Sequence, residues 1–185
     1  MAGPFERLGP QPGVLGSGHE LPHRCLGLPR TRAGDAAPDV ELLDTGLSPV
    51  RLSSLRGQVA VLVAVPSLDT PVCDTEARRF NEEAARLGDA VAVRVVSMDL
   101  PFAQSRWCGA AGIESVRTLS DHREAAFGAA YGVLIKELRL LARAVFVVGR
   151  EGAVRYVQLV EELTDEPDYE AVLAAVRELV AQAGD

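Results

Sequence analysis

The stretch Val59-Ala-Val-Leu-Val-Ala-Val65 constrains this chain most. An apolar run with a β-branched residue at every second position predicts a short buried strand. Pro66-Ser-Leu-Asp-Thr70-Pro-Val-Cys73 follows without a break. Open α/β sheets place ligands beyond the carboxyl ends of their strands, so this loop is where chemistry is expected.

The loop also predicts its own local geometry. Thr70 suits a helix N-cap and Pro71 the first helical position. Cys73 then falls third, where a capping box carries Glu or Gln. A thiolate there would lie near the Thr70 hydroxyl, unpaired backbone N–H groups and the positive end of the helix dipole. Each favours the charged form, so Cys73 is expected to be more acidic than a free cysteine. Acidity alone achieves little. A thiol brought from about 8.5 to about 6 gains roughly 30-fold in thiolate at neutral pH and loses roughly 10-fold in nucleophilicity. A fast reaction therefore needs donors that stabilise charge on the leaving atom, and Thr70, the helix amides and a nearby Arg are the candidates.

A chain of 185 residues can build one domain with a full core. Its net charge of −7 argues against nucleic acid as the main partner. No apolar run approaches the roughly 20 residues of a membrane helix, and no charged segment followed by an apolar one opens the chain. A cytoplasmic location is expected. Three cysteines, Cys25, Cys73 and Cys108, do not make a disulfide scaffold, and no Cys-x-x-Cys or His spacing suggests a metal site. Inert thiols are the plain alternative for all three.

Residues 1–33 are rich in Gly and Pro and read as an irregular arm that contains Cys25; residues 34–185 read as one domain. Short strands are expected at 40–43 and 50–52. A helix is expected from about Pro71 to Leu87, with Ala77, Phe80, Ala84 and Leu87 on its buried face and Glu76, Arg79, Glu82, Glu83 and Arg86 away from it. Val91–Val96 completes a strand–helix–strand unit. Pro101 opens a helix that carries Cys108, and 116–119 is a short strand. Ser120 is expected to cap a helix over 121–130, with His122 on its exposed face rather than paired with Cys73 as in a cysteine protease. Residues 144–148 and 154–159 form a hairpin, and a final helix at 168–183 buries Val172, Val176, Leu179 and Val180. The order predicts an α/β sandwich.

Pro66-x-x-x-Thr70-x-x-Cys73 matches the active-site signature of peroxiredoxins. Together with Asp99-Leu-Pro-Phe-Ala-Gln-Ser-Arg-Trp-Cys108, Thr118-Leu-Ser-Asp121 and Ala142-Arg-Ala-Val-Phe146, it resembles the thiol peroxidase subfamily, the atypical two-cysteine peroxiredoxins. The resemblance spans about Gly34 to Leu179. It implies a thioredoxin-like sandwich, a central mixed β-sheet flanked by helices. It implies that Cys73 is the peroxidatic nucleophile and Cys108 the resolving cysteine, joined in a Cys73–Cys108 disulfide. Thr70 and Arg143 would hold peroxide and thiolate, and Pro66 would shield the pocket. Substrates would be hydrogen peroxide and alkyl hydroperoxides, the reductant thioredoxin, the assembly a homodimer, with neither metal nor organic cofactor. A redox relay that passes oxidation to a partner protein is the second reading. The chain departs from the family before Gly34, in Cys25, and in Val40 where Phe is common.

Overall fold

The computed structural model describes residues 31–162 and 165–182. The expected arm and its Cys25 therefore lie almost wholly outside the described residues.

The run at 59–65 forms strand β3 (Val59–Ala64), buried along its whole length. Its two faces explain the continuous apolar pattern. Val59, Val61 and Val63 join one core cluster, Ala60, Leu62 and Ala64 the other. A strand covered on both sides has no polar face to alternate with. Helix α1 (Pro71–Leu87) leads to β4 (Val91–Ser97), which pairs parallel to β3 from Val59↔Val91 to Ala64↔Val96. Helix α2 (Pro101–Ala111) leads to β5 (Arg117–Ser120), parallel to β4. β8 (Ala144–Val148) and β9 (Val154–Leu159) make the expected hairpin, with β8 antiparallel to β3. β1 (Glu41–Leu43) and β2 (Pro49–Arg51) finish a seven-stranded mixed sheet of order β2-β1-β5-β4-β3-β8-β9. Helices cover both faces, as the α/β sandwich requires.

On one face α1 and α4 (Tyr169–Ala181) bury Ala77, Phe80, Val172 and Val176, with Trp107 of α2 beside them. On the other lie the short α3 (Ala126–Ala130) and the ribbon of β6 (Leu134–Ile135) and β7 (Leu140–Leu141), which sequence patterning does not reveal. Phe127 and Tyr131 stack at 4.3 Å there, and Phe146 meets Tyr131 edge-on at 4.9 Å. Gly128 lets α3 approach: a Cβ there would meet Leu141 Cδ2 at 2.7 Å.

The helix expected over 121–130 is shorter. Residues 121–125 form turns because Asp121, buried, accepts the N–H groups of Phe127 and Gly128 at 3.1 and 2.8 Å. A carboxylate that satisfies amides six and seven residues ahead cannot lie inside a continuous helix turn. His122 is therefore not on a helix face; it is half-buried and shares a hydrogen bond with Ser120 Oγ at 2.9 Å. In α4 the buried stripe holds Tyr169, Val172, Leu173 and Val176, while Leu179 and Val180 are half-buried at its edge.

Candidate active site

The site is built where β3 ends. Thr70 caps α1 with extended backbone, Pro71 takes the first position, and Thr70 Oγ1 accepts the amide of Cys73 at 3.4 Å. The same hydroxyl donates to Ser67 O at 3.0 Å, so it is oriented from both sides. An N-cap of this kind contributes about 1 kcal/mol. Pro66, at the junction of strand and loop, is buried, and Cys73 is 0% exposed.

Arg143 comes from a distant part of the chain, and the sheet brings it in. β8 runs antiparallel to β3 with Ala64 opposite Ala144. The residue just ahead of β8 is thus level with the loop just after β3. Arg143 Nη2 donates to Cys73 Sγ at 3.3 Å. Arg143 Nη1 forms an ion pair with Glu76 Oε2, and both side chains are essentially inaccessible, at 1% and 0% exposure. Cys73, Arg143 and Glu76 form a buried row of sulfur, guanidinium and carboxylate.

Glu76 corrects the sequence reading, which set it on the solvent side of α1. It lies three residues after Cys73, one helical turn along the same face. Counting from the thiol rather than from Ala77 would have found it. Burial pushes its carboxyl up to about 7, against the opposing pull of Arg143. Desolvation acts to lower Arg143, yet the charges of Glu76 and Cys73 leave the guanidinium above its ordinary value. The arginine is thus a permanent cation pressed against the sulfur.

Cys108 sits on the last turns of α2, half-buried, with its Sγ 3.5 Å from Thr118 Oγ1. Cys73 and Cys108 are both free thiols. Contacts join their helices: Trp107 Nε1 donates to Asp74 Oδ1 at 2.7 Å, and Arg78 Nη1 to Ala111 O at 3.0 Å. Asp74 is held below the usual carboxylate range, first by Arg78 and also by Trp107. His122 pairs with Ser120, not with Cys73, so no protease-like pair forms among the described residues. Among the described residues no helix is long and apolar enough to cross a membrane. Nor does any group of His, Cys, Asp and Glu among them suit a metal ion.

Residues 32–173 match the family model described as Redoxin. The thiol peroxidase of Bacillus subtilis (strain 168) is 54% identical over 149 residues, covering 80% of this chain and 89% of that protein. The thiol peroxidase of Halalkalibacterium halodurans is 55% identical over 146 residues, covering 79% and 87%. A crystal structure of a peroxiredoxin-like protein from Aquifex aeolicus superposes with a TM-score of 0.77 at 45% identity, over 82% of this chain and 89% of that one. The thioredoxin-like sheet, the buried thiol beside an arginine, and relatives that share more than half of the aligned residues agree. The chain belongs to the redoxin family and, within it, to the thiol peroxidases, which makes it a peroxiredoxin-type peroxidase.

Proposed function

We propose that Cys73 is the peroxidatic nucleophile of a peroxidase for hydrogen peroxide and organic hydroperoxides, and that Cys108 resolves it. The observation that carries this reading is the 3.3 Å contact of Arg143 with a buried Cys73 sulfur, backed by Glu76. The Cys73 thiolate attacks the terminal peroxide oxygen. The O–O bond breaks, Cys73 becomes a sulfenic acid, and the departing oxygen leaves as water or alcohol. Charge moves from sulfur to the leaving oxygen, and Arg143 can face both. Donors already fixed in a dry site stabilise that charge without reorganising. Thr70 holds the first turn of α1 in place, and Pro66 covers the pocket.

The Cys108 thiolate then attacks the sulfenic sulfur, expels hydroxide that leaves as water, and closes the Cys73–Cys108 disulfide. Both helices must loosen for the sulfurs to meet, because a disulfide needs its Cα atoms within about 7 Å. A thioredoxin dithiol reduces the bond, becomes the disulfide itself, and restores both thiols.

The test is intact mass after one equivalent of hydrogen peroxide, with peptide mapping. The expected product lacks two hydrogen atoms and links Cys73 to Cys108, with Cys25 still a thiol. Purified protein with thioredoxin and its reductase should consume NADPH only when peroxide is present. A linkage through Cys25, or full turnover by Cys73→Ser, overturns the assignment.

A further inference from the structure

Asp99 ties the two thiol-bearing helices together from outside the reacting row. It follows β4 and stands just ahead of α2. Its carboxylate accepts Ser67 Oγ at 2.7 Å and the amide of Leu68 at 2.8 Å, both in the loop that leads to Cys73. It also accepts Ser97 Oγ at 2.8 Å. Ser97 Oγ in turn accepts Gln104 Nε2 at 3.0 Å, and that amide also donates to Leu119 O at 3.0 Å. Gln104 is fully buried and stands one helical turn ahead of Cys108. On the loop side, Ser67 O holds the Thr70 hydroxyl, which accepts the amide of Cys73.

This arrangement has opposite consequences for the two halves of the reaction. Hydrogen bonds to a carboxylate are stronger than neutral ones, so Ser67 and Leu68 are firmly seated. That seating keeps Thr70, and so the first turn of α1, in register with Arg143. The same seating resists the opening that carries an oxidised Cys73 out of its sealed position toward Cys108. α2 lacks a side-chain cap, so its anchorage depends on tertiary contacts such as Gln104. While the loop stays shut, the sulfenic acid remains exposed to a second peroxide. Its sulfur would then take another oxygen to become sulfinic acid, with the O–O bond broken and water released.

We propose that Asp99 is a positioning residue that latches the Cys73 loop, speeding attack on peroxide, slowing transfer to Cys108, and thereby setting the ratio of sulfinic acid to disulfide. The proposal rests on the reading of Cys73 as nucleophile and Cys108 as its partner.

The experiment mixes reduced protein with hydrogen peroxide in stopped flow and follows the single tryptophan, Trp107, the neighbour of Cys108. A phase whose rate scales with peroxide reports attack; a phase independent of peroxide reports disulfide closure. Intact mass at excess peroxide gives the sulfinic fraction. Asp99→Asn is expected to slow the first phase about fivefold and to speed the second about tenfold, equivalent to about 1.4 kcal/mol of barrier. The sulfinic fraction falls with it. Ser67→Ala repeats the pattern more weakly and carries the test should Asp99→Asn not fold. Ser120→Ala, which removes the donor to the Asp99 carbonyl and the bond to His122 but none of the bonds to the Asp99 carboxylate, leaves both phases unchanged. Equal slowing of both phases, an unchanged sulfinic fraction, or the same response in Ser120→Ala overturns the latch. A wild-type chain that forms no Cys73–Cys108 disulfide overturns the underlying reading instead.

Discussion

The first turn of α1 and the last turns of α2 each carry a thiol, and they are built in opposite ways. The Cys73 turn has a side-chain cap, a proline at its first position and a thiol with no solvent exposure, with a guanidinium on the sulfur. The Cys108 turns have Gly109 beside the thiol and a left-handed Gly112 at the C-cap, and the sulfur is half-exposed against one hydroxyl. Under the proposed roles, order and charge are concentrated at the thiol that attacks peroxide, while the turns that carry its partner end in a left-handed glycine. Both helices loosen for the sulfurs to meet, and the difference teaches that the capped, ion-paired Cys73 turn is the more rigid half and the Cys108 turns the more compliant one.

Four measurements break or sharpen that contrast. The largest effect separates the thiols themselves. Cys73→Ser should lower peroxidase activity by about 1000-fold or more, whereas Cys108→Ser should leave the rate of the first oxidation within about threefold and accumulate sulfenic acid. Trapping of that acid by a dimedone-type reagent reads the difference; equal losses in both variants would erase the asymmetry.

Next comes the charge on the rigid half. Arg143→Lys keeps a cation but loses the fork that spans sulfur and Glu76, and should lower the second-order rate with peroxide about 100-fold. A rate within about twofold of wild type would show that Arg143 is only structural.

Glu76 makes the rigid half pH-sensitive. Its folded value, about 7, lies above the ordinary 4.5. The folded state therefore binds more protons than the unfolded one between those values, and stability falls as pH rises through that window. The loss is at most about 3 kcal/mol, at about 1.36 kcal/mol per unit. Denaturant unfolding at pH 5 and pH 8 should show a steeper decline in wild type than in Glu76→Gln. Parallel declines would remove Glu76 as the source.

The smallest effect lies at the link between the halves. Arg78 pairs with Asp74 at 2.9 Å on the surface, and Arg78→Ala should cost about 0–1 kcal/mol of stability. Its peroxide rate should equal wild type. A slower rate would mean that the outer link also orders the Cys73 turn.

Much of this was legible in the chain, and the omissions have physical causes. Strand β3, the Thr70 cap and the Cys73 position follow from patterns within fifteen residues of one another. Patterning extends α3 too far because Asp121 bonds forward to Phe127 and Gly128, and helical propensity does not register that choice. It puts Glu76 on the wrong face because charge is taken as a sign of solvent, and a buried ion pair violates that rule. Asp99 and Gln104 stand inside a family motif, yet their tying role is not legible there, since each is defined by partners on other elements.

By itself the sequence determined the elements that depend on near neighbours: the buried strand, the capped helix, and a thiol at that helix's third position. Its motifs also determined the family. The family motif singled out Arg143, which local patterning could not; only the tertiary structure decided how it reaches Cys73, through the pairing of Ala64 with Ala144. Local patterns report the energies of residues a few positions apart. Cross-strand register reports energies between residues seventy positions apart, and those exist only once the sheet has formed.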